Sequence, residues 1–229
     1  MLHARLIFER QWLHVALLAA LLAGMWLVTR YHGVNTGQYW GVTTPFWLWF
    51  AIGIAITHQV YVWFCWRTQL HASWLTRMFG KLGFPLYAVG FSVLGIMRVA
   101  AVFMVALSNQ GTLPGNATAL QILALILLLP ALYLFYSVKR YFGFRRAFGI
   151  DHFDNRYRPM PFERRGIFRF TSNGMYIYGF LLLWVPALWW TSLAALCVAA
   201  FNHLYIWVHY HATEVPDMKR IYGEMPKQV

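Results

Sequence analysis

Three residues late in the chain share one helix face. His203, Tyr210 and Glu214 stand at i, i+7 and i+11, within about 20° of one another on an α-helix. Trp207, at i+4, lies on the same side. The stripe offers aromatic stacking surface and ends in a carboxylate; the plain alternative is an interfacial Glu snorkelling to water. Acid is scarce here. The chain holds 7 Asp and Glu, and all but Glu9 fall at or beyond Asp151, so carboxylate chemistry belongs to roughly the last third. Arg98 is the other conspicuous charge, in the apolar run Gly95-Ile96-Met97-Arg98-Val99. A cation at the centre of a membrane helix costs at least ~2.5–3.5 kcal/mol, so it should face a cavity or a partner unless the helix register brings it to an interface.

Other chemistries find no support. His209 and His211 point roughly 200° apart on a helix, and no second carboxylate or cysteine joins His203 to complete a metal set. No Gly-x-Gly occurs, which removes the soluble dinucleotide fingerprint, and Gly80-Lys81 lacks the upstream glycine of a phosphate loop. Cys65 and Cys197 sit in apolar runs and read as small hydrophobes, neither a disulfide framework nor ligands.

The elements that must position these groups are membrane helices. Of 229 residues, 60% are apolar, 19% aromatic and only 11% charged, too little charge to coat a soluble globule. Six apolar runs approach the ~20 residues of a bilayer-spanning helix: about Gln11–Thr29, Phe46–Trp66, Leu82–Leu107, Ala117–Val138, Gly174–Trp190 and Ser192–His209. Unpaired strand edges are intolerable in hydrocarbon, so the expected fold is all-α, a polytopic protein with about six transmembrane helices. The first run, preceded by Arg5 and Arg10 and followed by Arg30 with no small-residue cleavage pattern, reads as a retained anchor.

The net charge of +12 would suggest nucleic acid in a soluble domain. Here 17 of the 19 basic residues, Lys227 included, fall on one side of the six spans; only Arg30 lies opposite and Arg98 within a helix. The charge is therefore a topology signal that places both termini in the cytoplasm, with no nucleic-acid partner. Two regions follow: residues 1–138, four transmembrane helices; and 139–229, an Arg-rich connector over Lys139–Asn173, a tight antiparallel hairpin turning near Pro186 and Trp189–Trp190, and a polar tail.

Two segments carry a family resemblance. The first is Gly166-Ile167-Phe168-Arg169-Phe170-Thr171-Ser172-Asn173-Gly174-Met175-Tyr176-Ile177-Tyr178-Gly179, leading into the hairpin; the second is Thr213-Glu214-Val215-Pro216-Asp217-Met218-Lys219-Arg220-Ile221-Tyr222-Gly223, leaving it. They resemble the integral-membrane methyltransferases that include isoprenylcysteine carboxyl methyltransferase and the phospholipid (phosphatidylethanolamine) N-methyltransferases. Those read about Gly-x-Tyr/Phe-Arg-x-x-Arg-His-Pro-Met-Tyr-x-Gly before the hairpin and Glu-Glu-x-x-Leu/Met-x-x-x-Phe/Tyr-Gly after it. The resemblance spans about residues 164–224. This chain departs from it with Ser172-Asn173-Gly174 for Arg-His-Pro, Gly179 one residue late, and Val215 for the second Glu.

The resemblance implies an S-adenosylmethionine site. Glu214 would accept hydrogen bonds from the ribose or amino group, and Arg169 would pair with the carboxylate. Tyr176, Tyr178 and Tyr210 would stack on adenine or the sulfonium, while Asn173, Gly174, Met175 and Gly179 would shape the entry to the fifth helix. Glu214, Asp217, His203 and Arg98 could tune the acceptor's protonation, with no general base assigned. The implied activity is methyl transfer to a lipidic or hydrophobic small molecule entering from the cytoplasmic leaflet. A sterol-type membrane reductase using NADPH and a non-catalytic protein retaining the hairpin are the alternatives. Short cytoplasmic loops and the lack of a retention signal favour a bacterial inner membrane; the acceptor and the oligomeric state are not legible.

Overall fold

The computed structural model describes residues 2–223. The basic residue Lys227, counted above for topology, lies outside these described residues. The protein is 80% helical. Helices α1 (Gln11–Val28), α2 (Thr44–Ala72), α3 (Gly83–Ser108) and α4 (Ala117–Ser137) follow the expected order. A shorter apolar helix, α5 (Met175–Trp189), precedes α6 (Leu193–His209) and the terminal α7 (Val215–Tyr222). Five helices are long and apolar enough to cross a membrane: α1 to α4 and α6, each extended by flanking turns in all but α2. The expected fifth span is the exception, because α5 is short and irregular.

Local chemistry sets the ends. Asn116 accepts a hydrogen bond from the Ala119 N–H (3.0 Å) to start α4, and Ser192 does the same for α6 from Ala195 (3.1 Å). Pro186 does not mark the hairpin connection; it sits inside α5, and the turn is Trp190–Ser192, with Thr191 at φ 47°. A two-stranded hairpin, Gln38–Tyr39 with Val42–Thr43, interrupts the all-α reading. Its tip, Trp40-Gly41, has positive φ at both residues, which suits the right-handed twist of a short hairpin.

The second hairpin helix is the hub of the bundle. Ala194, Ala195, Val198 and Ala199 of α6 are fully buried and meet Ala51, Ala55, Ala101, Val102 and Ala106 of α2 and α3. Small side chains let helix axes approach where no hydrophobic drive distinguishes protein from lipid. One core thus joins residues from before and after residue 138. The outer faces are apolar instead: Ile96 (70% exposed), Leu129 (66%) and Val89 (62%) point away from the protein. That inverted pattern is expected of an integral membrane protein. At the end bearing the small hairpin, buried Asn109 ties three segments together, donating to Gly33 and Thr36 carbonyls (2.9 and 2.8 Å) and accepting from the Ala194 N–H (2.8 Å).

Candidate active site

At the opposite, Arg-rich end, three wider π-helical turns converge: Val138–Phe142 after α4, Met175–Gly179 at the start of α5, and Tyr210–Glu214 after α6. A π turn inserts a residue and re-aims the side chains around it, and such turns are frequent at functional sites. Phe142, Met175, Tyr176, Tyr210 and Glu214 from these turns line a cavity of about 110 Å³. Asn173, Arg146, Asp151, His152 and Trp66 contribute further walls. The Tyr176 hydroxyl donates to the Glu214 carboxylate. Its ring meets Tyr210 edge-on at 5.7 Å and Trp207 at 6.0 Å, so the phenol is clamped from two sides.

Of the nine cofactor residues expected from the motifs, Asn173, Met175, Tyr176, Tyr210 and Glu214 share this cavity. Gly174 stands behind it, where a Cβ would meet Ile167 Cγ2 at 3.4 Å. Tyr178 packs into the cluster of Leu134, Val138, Ile167 and Phe168. Gly179 faces α4, where a Cβ would sit 3.0 Å from Leu134. Arg169 is exposed beside Phe170 and is not in the wall of this cavity; the guanidinium in the wall is that of Arg146, which donates to the Pro161 carbonyl (3.1 Å). His203 accepts from the Trp184 indole (3.1 Å) and stays apart, because the π turn between it and Glu214 breaks the constant 100° step on which the stripe relied.

Beside the cavity lies an ionic cluster that no motif announced. Arg67 Nε and Asp217 Oδ1 are 2.6 Å apart, both side chains wholly buried, as a close ion pair without an aligned hydrogen bond. Arg67 also donates to the carbonyls of Leu6 (2.6 Å) and Thr213 (3.1 Å). His152 lies 3.5 Å from Asp217 and 3.0 Å from Asp151, and stacks on Trp66 at 4.3 Å. The Tyr222 hydroxyl donates to Asp151 (2.6 Å), which closes the tail onto the connector. The clustering of acids after residue 150 was the available signal for Asp151 and Asp217. Arg67 gave none, since it reads as an ordinary topology charge.

Burial alone would push the His152 imidazole down, but hydrogen bonds and charge from Asp151 and Asp217 outweigh it and hold the group up to about 9. A raised pKa stabilises the fold fully below the ordinary value near 6.5, and that contribution is lost as pH climbs through 9. Thermal stability in detergent should therefore fall between about pH 6.5 and 9, and His152→Gln should flatten the slope; an equal slope in the variant would assign it to another group.

Gly149 makes the stack possible. It has φ +79°, and a Cβ there would lie 2.5 Å from the Trp66 ring. Gly149→Ala is expected to cost at least about 1–3 kcal/mol through left-handed strain and overpacking, read as a lowered thermal midpoint.

Two further cavities adjoin the first, and Ala147 and Met175 line all three. A central one of about 170 Å³ is bounded by His58, Gln59, Arg98 and His209 as well as by Trp66 and Tyr176. A groove of about 260 Å³ then leads outward past Phe91, Phe148 and Leu182 to Phe135 and Phe144, each 46% exposed on the lipid-facing side. Arg98 lines both, its Nε donating to Asn202 Oδ1 and its guanidinium 4.9 Å above the Phe180 ring.

No curated protein and no solved structure matches the chain. A family model does. Residues 119–225 hold most of α4, the three π turns and every wall of the first cavity except Trp66. They match the phospholipid methyltransferase family model, which is consistent with the integral-membrane methyltransferases that the two motifs resemble.

Proposed function

We propose that this membrane protein transfers a methyl group from S-adenosylmethionine to a lipidic or otherwise hydrophobic acceptor. The observation that carries the reading is the run of adjoining cavities: a polar, aromatic-walled one at the Arg-rich end meets an apolar, lipid-facing groove at Ala147 and Met175. A soluble cofactor and a membrane-borne acceptor need separate entrances of those two kinds. The Arg-rich end would face the cytoplasm, with both chain termini, and a bacterial inner membrane fits this arrangement.

The residues present fit the cofactor. The wall combines a carboxylate (Glu214), a half-buried guanidinium (Arg146), an amide (Asn173) and the rings of Trp66, Tyr176 and Tyr210. That set complements a cationic, zwitterionic and aromatic molecule. When bound, S-adenosylmethionine supplies an electrophilic methyl on sulfur. Glu214 would accept from the ribose or amino group, held in place by the Tyr176 hydroxyl. Arg146, which lines the cavity, would pair with the cofactor carboxylate in the role expected of Arg169. Met175 and Tyr176 stand in the wall shared with the central cavity, where the acceptor's reacting end would be held. Positioning of this kind is worth on the order of 7–11 kcal/mol and asks no covalent chemistry of the protein.

Calorimetric titration of the detergent-purified protein tests the reading. S-adenosylmethionine should bind and NADPH should not; binding of NADPH alone would sink it. A labelled-methyl assay against a lipid extract then identifies the acceptor.

A further inference from the structure

The central cavity holds a buried cation and no acid to balance it. Arg98 is buried, and no carboxylate among the described residues lies within ion-pair distance of it. One edge of its guanidinium is engaged: Nε donates to the Asn202 side chain and Nη2 to the Asn202 carbonyl, over the face of Phe180. Nη1 has no acceptor among the described residues. His58 and His209 line the same cavity, 6% and 2% exposed, and neither ring nitrogen of either has a hydrogen-bond partner. Each neutral imidazole carries one N–H donor. Around these donors stand four aromatic rings, those of Trp66, Phe91, Tyr176 and Phe180. A buried cation and unpartnered polar rings are costly in a low-dielectric interior unless something satisfies them. An ammonium would meet Arg98 as a like charge, with no carboxylate in this wall to hold it.

We propose that the acceptor is a phenol with an apolar tail, methylated on oxygen, and that Arg98 selects it by holding the phenolic oxygen as its anion, with His58 and His209 as further N–H donors. Two observations favour a phenol over a carboxylate. The side-on edge of the guanidinium, which pairs best with two carboxylate oxygens, is already taken by Asn202, so a single oxygen suits the free Nη1. The rings around the donors suit a flat aromatic body. The tail has a place as well, because Arg98 and His58 also line the outward groove, whose other walls are apolar. In the transfer, the phenol first loses its proton to bulk water. The phenolate oxygen then forms the O–CH3 bond while the S–CH3 bond breaks, and that bond's electron pair stays on sulfur, leaving an aryl methyl ether and S-adenosylhomocysteine. Arg98 offsets the charge of the nucleophile; an imidazolium beside it would be a second cation, so neither histidine is assigned the proton. The inference deepens the methyl-transfer reading by naming the acceptor class, and it rests on that reading only for the phenol's role as acceptor.

The test uses the full-length protein in maltoside, an uncharged detergent, with dodecyl-nitrophenol as the probe, since its phenolate is yellow. It should bind at least about tenfold tighter than its methyl ether, than dodecanoate and than dodecylamine, the scale of one charged hydrogen bond. The bound probe should also stay yellow to a lower pH than the same probe in protein-free micelles, because a guanidinium favours the charged form. The titratable groups around that probe are His58 from α2, Tyr176 from α5 and His209 from α6, with Tyr205 and the hydrogen-bonded His14 (2.8 Å) behind. Arg98→Gln should abolish both the preference and the colour shift, Arg98→Lys should retain part of each, and His58→Phe and His209→Phe should each weaken binding several-fold. Dodecylamine or dodecanoate bound as tightly as the nitrophenol by the unaltered protein would overturn the proposal, and so would an undiminished preference in folded Arg98→Gln. S-adenosylmethionine titrated into the same samples reads the other hypothesis separately. If it fails to bind while the nitrophenol preference persists, the methyl-transfer reading falls and the phenolate site stands. If it binds and labelled methyl passes to dodecanoate or dodecylamine but not to dodecylphenol, the methyl-transfer reading stands and the phenol is overturned.

Discussion

Asp217→Asn should destabilise the protein by about 3–5 kcal/mol, the range for removing one member of a buried ion pair. The carboxylate sits 2.6 Å from Arg67 Nε with neither side chain exposed, so its loss leaves a buried guanidinium with backbone carbonyls and, at 3.8 Å, the partly exposed Glu9 as its partners. His152 loses a partner in the same step. Arg67 itself joins α2 to the N-terminal segment at Leu6 and to the π turn at Thr213. The consequence should thus reach both the cavity wall and the chain's beginning. Arg220→Gln is the internal comparison. Arg220 pairs chiefly with Glu9, each about a third exposed, and reaches Asp217 only at 3.9 Å; exposed pairs of this kind contribute under about 1 kcal/mol. Thermal unfolding of both variants in detergent gives the answer, and similar shifts for the two would mean that the buried pair is not what holds this end together. The double variant Arg67→Met with Asp217→Leu should recover part of the loss, because two apolar side chains leave no charge uncompensated.

Glu214→Gln should weaken S-adenosylmethionine binding about 10- to 100-fold, since hydrogen bonds to a charged group contribute roughly 1.5–3 kcal/mol. Glutamine keeps the size and the contact with Tyr176 but loses the acidic group that would ionise against a cationic ligand. Tyr176→Phe should cost less, about 1 kcal/mol, because it removes only the hydroxyl that orients the carboxylate. His203→Ala is expected to change affinity less than about twofold, as its imidazole is engaged by Trp184 outside the cavity. Calorimetry on the three variants orders them. A Glu214→Gln protein that binds as tightly as the unaltered one would remove Glu214 from the cofactor site, and an effect of His203→Ala as large as that of Glu214→Gln would show that the helical stripe, and not the π turn, organises the site.

Much of the architecture was legible because a bilayer imposes simple rules. Apolar length marks α1 to α4 and α6, and one-sided basic charge orders the loops. The fifth apolar run, Gly174–Trp190, is matched by α5 to within one residue at each end, but its form was not legible. Hydropathy registers composition, whereas the π and 3-10 turns through which α5 passes are decided by backbone geometry and packing. The two-stranded hairpin near residue 40 was missed because each strand has only two residues, below any periodic signal.

For the site, residue types were readable and their company was not. Scarce acid singled out Glu214, and the motifs named Asn173, Met175, Tyr176 and Tyr210, which do share one cavity. Spacing on a regular helix also drew in His203, and motif position drew in Arg169; a π turn and an exposed loop edge set them elsewhere. Arg67, His152 and Trp66 come from segments far from the motifs, and nothing in a local window relates them. By itself the sequence determined that this is a helical membrane protein with its carboxylates gathered at one end, because solvation energies depend on residue type alone. The tertiary structure decided which carboxylate faces a cavity, which is locked to Arg67, and that Arg98, His58 and His209 meet in mid-bundle. Those outcomes depend on where α6 lies against α2 and α3, and such packing is a property of the whole chain.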